Sequence, residues 1–363
     1  MLPHHCHHRV HVAAQSDLTT ARGVLANLTA GMAGDTAVGE DVVGRSRLVV
    51  AELATNLIRH AGGGVLLLRG LGAAEVPGSA CGRPAGIECL SLDKGPGIAD
   101  IADALADRQD GDPAPGGGLG YGLGAVRRLS DRFDIHTGPG VGTAVLARVH
   151  PRNGTMPPTP GPFAWGVAMV PMTGCDACGD GWSVRPDGLA LVVDGLGHGE
   201  AASVAARRAE AVFAAAPADQ DVRDVLVAIH EALRGTRGAV ACVLRLHRTD
   251  VEFSSIGNIT GAVLSRRGHI PLGGRWGVVG YNAVPPPATR VPWEPGDQLV
   301  LHSDGCSQLM NLVTDRHLRH ADPALAAAVL MRDGVGRIDD QTVLVLANRT
   351  GCRGSSPVSS QCL

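Results

Sequence analysis

The stretch Leu189-Ala-Leu-Val-Val-Asp-Gly-Leu-Gly-His-Gly199 runs five apolar residues into an aspartate and then into glycines. A run this short, with Val192 and Val193 in it and glycine at its end, reads as a buried strand and not a helix. Gly195, Gly197 and Gly199 let the backbone turn tightly and approach a ligand closely. The alanine-rich run Glu200–Ala216 that follows reads as a helix ended by Pro217. Asp194 therefore sits where a buried strand opens into a turn. A carboxylate there needs hydrogen bonds or a cation; the competing reading is a turn aspartate that caps the next helix.

Two later stretches repeat the design. Gln298-Leu-Val-Leu-His-Ser-Asp-Gly305 reads as a strand ending in Asp304, and Asp339-Asp340-Gln-Thr-Val-Leu-Val-Leu346 as an acidic pair opening a strand. Upstream, Cys178-Gly-Asp180-Gly-Trp182 precedes the Asp194 strand. Separated carboxylates at strand ends suit hard divalent cations such as Mg²⁺ or Mn²⁺, which take oxygen ligands. Their order and wording, with Gly257-Asn258-Ile259 and Gly277–Asn282 between, resemble the metal-dependent type 2C (PP2C-like) protein phosphatases in their SpoIIE/RsbX branch, over roughly residues 164–347. The resemblance implies two metals, Mn²⁺ or Mg²⁺, held by Asp180, Asp194, the Gly195 carbonyl, Asp304 and Asp339, with Asp340 as the alternative to Asp339. It also implies a metal-bridging water that attacks a phosphoserine or phosphothreonine, with no phosphoenzyme. Paired cations suit that chemistry, because they make hydroxide available at neutral pH and stabilise phosphoryl oxygens.

The totals bound the rest. A chain of 363 residues allows two or three domains. A net charge of −3 gives no basic field, which argues against a nucleic-acid partner. No apolar run approaches the roughly 20 residues of a membrane span, and no apolar signal-peptide core is visible. The 9 scattered cysteines then suit reduced thiols and a cytoplasmic protein.

In the first half, residues 1–14, with their histidine run His4-His5-Cys6-His7-His8, read as a disordered tail. Asp17–Ala33 reads as a helix with Asp17 as N-cap. Gly44–Ala61 reads as a second, on which Glu52 and Asn56 lie four apart and so share a face. Strand candidates Val65–Arg69 and Gly86–Leu92 follow, the latter leading into Asp93-Lys-Gly95-Pro-Gly97-Ile98. Then Gly118-Leu-Gly120-Tyr-Gly122-Leu-Gly124 opens a helix over Ala125–Asp131. A glycine-rich loop feeding a helix N-terminus can cradle phosphate, and the lack of Gly-Lys-Ser/Thr rules out a P-loop.

Glu52-Leu-Ala-Thr-Asn56, Asp93-Lys-Gly-Pro-Gly97 and Gly122-Leu-Gly-Ala-Val-Arg-Arg-Leu-Ser-Asp131 together resemble the GHKL (Bergerat-fold, HATPase) domain, closest to the RsbT-type serine kinases, over about residues 15–149. The resemblance implies ATP and Mg²⁺ as cofactors. Asn56 would bind the Mg²⁺, Asp93 would accept the adenine amino hydrogen, and Gly95 and Gly97 would shape the adenine pocket. Gly118, Gly120, Gly122 and Gly124 would form a lid over the phosphates. Thr143, in the last strand region, joins the cofactor set, and Glu52 would orient or deprotonate the acceptor hydroxyl. Arg127 and Arg128 are candidates for the γ-phosphate, against a reading as helix-surface charges.

Pro151–Pro162 reads as a semi-extended interdomain linker. The division expected is a tail over 1–14, an ATP-binding domain over 15–150, a linker over 151–162, a phosphatase domain over 163–348 and a tail over 349–363. Cys175-Asp-Ala-Cys178 has redox-motif spacing, but a structural role is favoured because no second cysteine pair completes a zinc site. His198 and His302 lie beside metal aspartates, where packing competes with proton transfer. The fold expected is two-domain α/β (α+β): a Bergerat-fold α/β sandwich, then a four-layer α-β-β-α phosphatase. The function implied is control of serine/threonine phosphorylation on STAS-domain anti-sigma antagonists or stressosome proteins in a stress response, with a sigma factor as a further candidate partner. Two rivals stand beside it: a phosphatase with a purely ATP-sensing first domain, and an anti-sigma binding protein.

Overall fold

The computed structural model describes residues 6–30, 37–72, 75, 86–106, 122–152, 163–309 and 318–349. The first half builds one antiparallel sheet in the order β1-β2-β3-β5-β4, from β1 (His8–Val12), β2 (Gly64–Leu71), β3 (Gly86–Leu92), β4 (Arg132–Gly138) and β5 (Gly142–Val149). Its strands alternate with period two. Leu66, Leu68, Cys89, Val145 and Ala147 face the helices α1 (Asp17–Thr29), α2 (Ala37–Asn56) and α4 (Gly122–Leu129), against Leu25, Val49 and Leu53. Leu67, Leu90 and Leu146 face the other way, into a second core. The short α3 (Ile101–Leu105) lies between β3 and α4 in the chain. Arg45 ties α2 to the far end of the sheet by donating to Asp131 and to the Leu129 and His150 carbonyls.

The second half stacks two sheets. The outer one, ordered β13-β10-β9-β8-β7, holds β7 (Asp180–Val184), β8 (Leu189–Gly195), β9 (Ala239–Leu246), β10 (Asp250–Ile256) and β13 (Thr289–Pro292). The inner one, ordered β12-β11-β14-β17-β6, holds β6 (Phe163–Val170), β11 (Thr260–Ser265), β12 (Gly268–Leu272), β14 (Gln298–His302) and β17 (Gln341–Asn348). Strand β8 reads as a continuous apolar run because both of its faces are buried. Ala190 and Val192 enter the core between the sheets. Leu189, Leu191 and Val193 pack on α5 (Glu200–Ala215) and α6 (Val222–Ala232). The inner sheet's outward residues, Val300, Val343 and Val345, meet α7 (Pro323–Asp333). This is the expected α-β-β-α stack.

Helix α7 belongs to both halves. Every residue from Pro323 to Met331 is buried, and its cluster takes in Leu67, Leu90 and Leu146 of the first sheet with Ala168, Val300 and Val345 of the inner sheet. A helix apolar all round is one covered on all sides. Glycine at 166 allows the approach on the β6 side, since a Cβ there would run into the backbone of Ala324. Asp322 caps the helix by accepting from Ala324 N at 3.0 Å. It also joins the halves, accepting from Arg132 Nε at 2.9 Å while its own N donates to Asp134 Oδ2 at 2.6 Å.

Three expectations are corrected. Residues 8–12 are not tail but an edge strand paired with β2, and Cys6 and His7 are buried, with His7 N donating to Met169 O at 2.8 Å. Val10 and Val12 point into the first core, a period-two signal that the histidine run obscures. Helix α2 starts at Ala37, before the expected Gly44, and yields at Asn56 to a π-helical turn, Leu57–Ala61, closed by left-handed Gly62. Asp17 does not cap α1 from outside; it is the first helical residue, and its carboxylate accepts from Ala13 N and Ala14 N. The expected linker (beyond Arg152) and the C-terminal tail (beyond Arg349) lie outside the described residues.

Candidate active sites

The first site gathers at the end of α2, behind β3 and at the β5 start. Asp93 follows β3, and its Oδ1 accepts from Gly95 N at 2.8 Å and Thr143 N at 3.0 Å, while Asp93 N donates to Thr143 O at 2.9 Å. Thr137 completes the corner, accepting from Ile98 N at 2.9 Å and lying 3.0 Å from the Thr143 hydroxyl. At Gly97 φ is +79°, and a Cβ would strike the Gly138 carbonyl, so the Asp-x-Gly-x-Gly turn has room for no side chain there. Glu52 and Asn56 are half-buried on α2. Burial raises the proton affinity of Glu52, against the pull of Arg59. Asn56 Nδ2 is buried and meets no partner among the described residues, although buried amides are ordinarily satisfied. Asn56 also sits where α-helix gives way to π-turn, a distortion common at functional positions. The orphaned Asn56 Nδ2 is a donor, which suits a phosphate oxygen of a bound nucleotide, and its amide oxygen is a ligand type that Mg²⁺ accepts. Gly122 and Gly124 open α4, Arg127 and Arg128 are exposed on it, and Gly118 and Gly120 lie outside the described residues.

The second site lies at one end of the two stacked sheets. Asp180 begins β7 and Asp194 is the last residue but one of β8, paired directly across the ladder. Like charges so placed repel. Burial first, then Asp180, Asp304, Asp339 and Asp340, pushes the Asp194 carboxyl up to about 9. Burial likewise pushes Asp180 up to about 7, although its Oδ2 accepts from Ser303 Oγ at 2.8 Å and Thr342 Oγ1 at 2.7 Å. Asp304 follows β14 and accepts from Asn258 Nδ2 at 3.1 Å, with Arg337 Nη1 at 3.4 Å. The paired acids divide their roles. Both oxygens of Asp340 are taken, by Met172 N and Gly179 N at 2.8 Å each, whereas among the described residues Asp339 accepts only from Asp340 N.

These side chains share charge more than contact. Among the described residues, no group of three or more His, Cys, Asp and Glu side chains closes into a metal cage as the side chains stand. The donor set is still all oxygen, partly buried and strongly negative, and such a set fits hard divalent cations.

Elsewhere, His302 is buried with Nδ1 at 2.9 Å from the Ser303 carbonyl, and burial lowers its proton affinity, which suits packing over proton transfer. His198 Nδ1 lies 3.9 Å from Cys175 Sγ, and Cys175 and Cys178 are both free thiols. Ser303 and Thr342 were readable inside the quoted motifs but not as props for Asp180. Glu210 of α5 carried no signal beyond helical spacing; it accepts from Trp182 N at 3.0 Å, and burial pushes it up to about 7. No helix among the described residues is long and apolar enough to cross a membrane.

Comparison with known proteins matches two segments of the chain. The histidine kinase-like ATPase domain family matches residues 13–149, and the family of stage II sporulation protein E (SpoIIE) matches residues 186–348. The serine/threonine-protein kinase RsbT of Bacillus subtilis is 31% identical over 140 residues, which are 38% of this chain and 92% of that protein. A solved structure described as "The bacterial stressosome: a modular system that has been adapted to control secondary messenger signaling" is 29% identical, with a TM-score of 0.45, over 51% of this chain and 98% of its own. RsbX in complex with magnesium is 21% identical, with a TM-score of 0.45, over 51% of this chain and 94% of its own. Residues 186–348 match the SpoIIE family, and through residues 13–149 the chain belongs to the histidine kinase-like ATPase family in its RsbT branch.

Proposed function

We propose that the chain sets the phosphorylation state of serine or threonine on a regulatory protein. The second domain removes the phosphoryl group with two divalent cations, and the first uses Mg-ATP to add one to a STAS-type partner in a stressosome or anti-sigma circuit. The observation that carries the reading is the acidic cluster around Asp194, which pairs with Asp180 across the ladder and is pushed up to about 9 by burial and four other aspartates. Asp180, Asp194, the Gly195 carbonyl, Asp304 and Asp339 would hold the ions; the engagement of Asp340 with two backbone N–H groups supports Asp339 over Asp340. When bound, the ions supply an activated water and positive charge for the phosphoryl oxygens. The chain's own part is to fix the carboxylates: Ser303 and Thr342 hold Asp180, and Asn258 holds Asp304.

In the first domain Asn56 would hold the nucleotide's Mg²⁺ and Asp93 would accept from the adenine amino group. Gly95, Gly97 and Thr143 shape that pocket, and Gly118, Gly120, Gly122 and Gly124 would cover the phosphates. Glu52, its proton affinity raised by burial, would take up the proton of the acceptor hydroxyl. Asp93→Ala is expected to cut ATP affinity by about tenfold or more, the scale of one lost charged hydrogen bond; wild-type affinity by calorimetry would remove Asp93 from the pocket. Asn56→Ala is expected to weaken Mg-ATP more than metal-free ATP, and equal losses would argue against a metal ligand.

The test of the whole reading is a time course of phosphate on a cognate STAS protein with ATP. Asp304→Asn in the full chain should raise the steady level and Glu52→Ala should lower it. No difference among these and wild type, with a partner shown to bind, would end the idea of a shared circuit. A second reading, an ATP-sensing first domain without transfer, is favoured by one contact: Arg332 of the phosphatase half donates to the Asp93 carbonyl at 2.8 Å.

A further inference from the structure

We infer that Arg332, carried by the phosphatase half, is a positioning residue of the nucleotide site in the other half, and that through it nucleotide occupancy and the acidic centre are linked. The inference rests on the nucleotide-site reading above.

Arg332 lies in the last turn of α7, with its side chain only 6% exposed. Its guanidinium is used on two sides. Nη1 donates to the Asp93 carbonyl at 2.8 Å, while Nε and Nη2 fork onto Asp333 at 2.8 and 2.7 Å. Lys94 Nζ adds a longer approach to Asp333, at 3.8 Å. Asp93 is therefore braced twice: its carboxylate by Gly95 N and Thr143 N from its own domain, its carbonyl by a cation from the other. A charged donor on a carbonyl makes a strong bond, and a planar fork pinned by a carboxylate holds its direction. The adenine-side turn is thus set partly by a residue outside the ATPase domain.

The same segment continues to the acidic centre. Gly334 N donates to Leu330 O and ends α7; Val335–Gly336 (β16) then pairs with Cys306–Ser307 (β15), immediately after Asp304-Gly305. Arg337 N donates to Gly305 O at 3.1 Å, and its Nη1 lies 3.4 Å from Asp304 Oδ2. Residues 332–337 therefore run from the Asp93 turn to the Asp304 carboxylate. Helix α7 is packed between two sheets and cannot absorb a shift at one end by deforming. A ligand that fixes the Asp93 turn biases this segment, and by thermodynamic linkage a ligand at Asp304 biases the turn equally.

The experiment uses the full chain, with ADP as the nucleotide probe, so that no phosphate is transferred. Calorimetry is expected to show ADP affinity about tenfold lower in Arg332→Ala, the scale of one charge-assisted bond. In Arg332→Lys most of it should return, since an ammonium can still reach one carbonyl. Thermal melting of both variants checks that α7 stays docked. The second measurement is the Mn²⁺ dependence of p-nitrophenyl phosphate hydrolysis at buffered free Mn²⁺, with and without saturating ADP. Wild type should show an apparent Mn²⁺ affinity shifted about fivefold, a typical coupling, and Arg332→Ala should show none. Equal ADP affinity in wild type and Arg332→Ala overturns the inference, as does a wild-type Mn²⁺ dependence indifferent to ADP. Failure of the nucleotide-site reading looks different: wild type binds no ADP, or Asp93→Ala binds it normally, and either result overturns both.

Discussion

Replacing Asp304 with Asn will cut metal-dependent phosphatase turnover by at least about a hundredfold, while the folded chain melts no lower than wild type in metal-free buffer. Loss of a residue that merely supports a metal ligand costs about ten- to a hundredfold, so loss of a ligand costs more. The substitution keeps the shape of the side chain and removes its charge. Asp304 is partly exposed and sits in a field of like charges, where it helps to raise Asp194. Removing it relieves repulsion, and the expected pairing of lost activity with undiminished stability is what a charged functional site produces. Initial rates on a phosphoserine peptide with Mn²⁺, beside melting curves in chelator, check both halves. Retention of more than about a tenth of the wild-type rate would take Asp304 out of the metal set. A large fall in melting temperature would recast it as a structural residue.

Sequence legibility followed the local character of each signal. Strands β8, β14 and β17 announced themselves because both of their faces are buried, which leaves unbroken apolar runs between glycine and aspartate. The acids at their ends stood out as candidates for the same reason, although a carboxylate closing such a run also reads as a cap of the next helix. The Asp93 turn was legible through Gly97, where the Gly138 carbonyl leaves no space for a Cβ. What escaped was long-range. The histidines around β1 gave no hint that Val10 and Val12 complete the first core, or that His7 reaches Met169 and Glu88. Helix α7 is an apolar run in sequence, and one sheet or two over such a helix look alike there. Arg332 drew no reading at all; its partner is a backbone carbonyl 239 positions away, and backbone acceptors leave no sequence trace.

Glu88→Leu will destabilise the whole chain by about 3–5 kcal/mol, the cost of removing one partner from a buried cluster of charges. Glu88 is fully buried and accepts from Arg69 Nε at 2.7 Å, Arg148 Nε at 2.6 Å and His7 Nε2 at 3.0 Å. Arg69 is as deeply buried, forks onto Glu75, and lies 5.7 Å from the Trp182 ring of the other half. The cluster therefore joins the two halves, and its loss should be felt in both. Arg148, partly exposed, can turn to water, and burial keeps His7 largely neutral; Arg69 has no such exit and keeps Glu75, but its Nε loses its acceptor. A second change, Arg69→Met, should thus recover part of the loss, since it removes the unpaired Nε while Glu75 keeps the Gly72 N–H. Acid gives an independent reading. Burial works to raise the Glu88 carboxyl, but Arg69, Arg148 and His7 outweigh it and hold the group well below the usual carboxylate range. A depressed folded pKa contributes stability in full above the unfolded value of about 4.3, and that stability is lost as pH falls through the folded one. Urea midpoints of wild type should therefore fall more steeply below about pH 4 than those of the double variant. A single-variant cost under about 1 kcal/mol, or parallel acid limbs, would mean that the halves are held by the α7 core and not by Glu88.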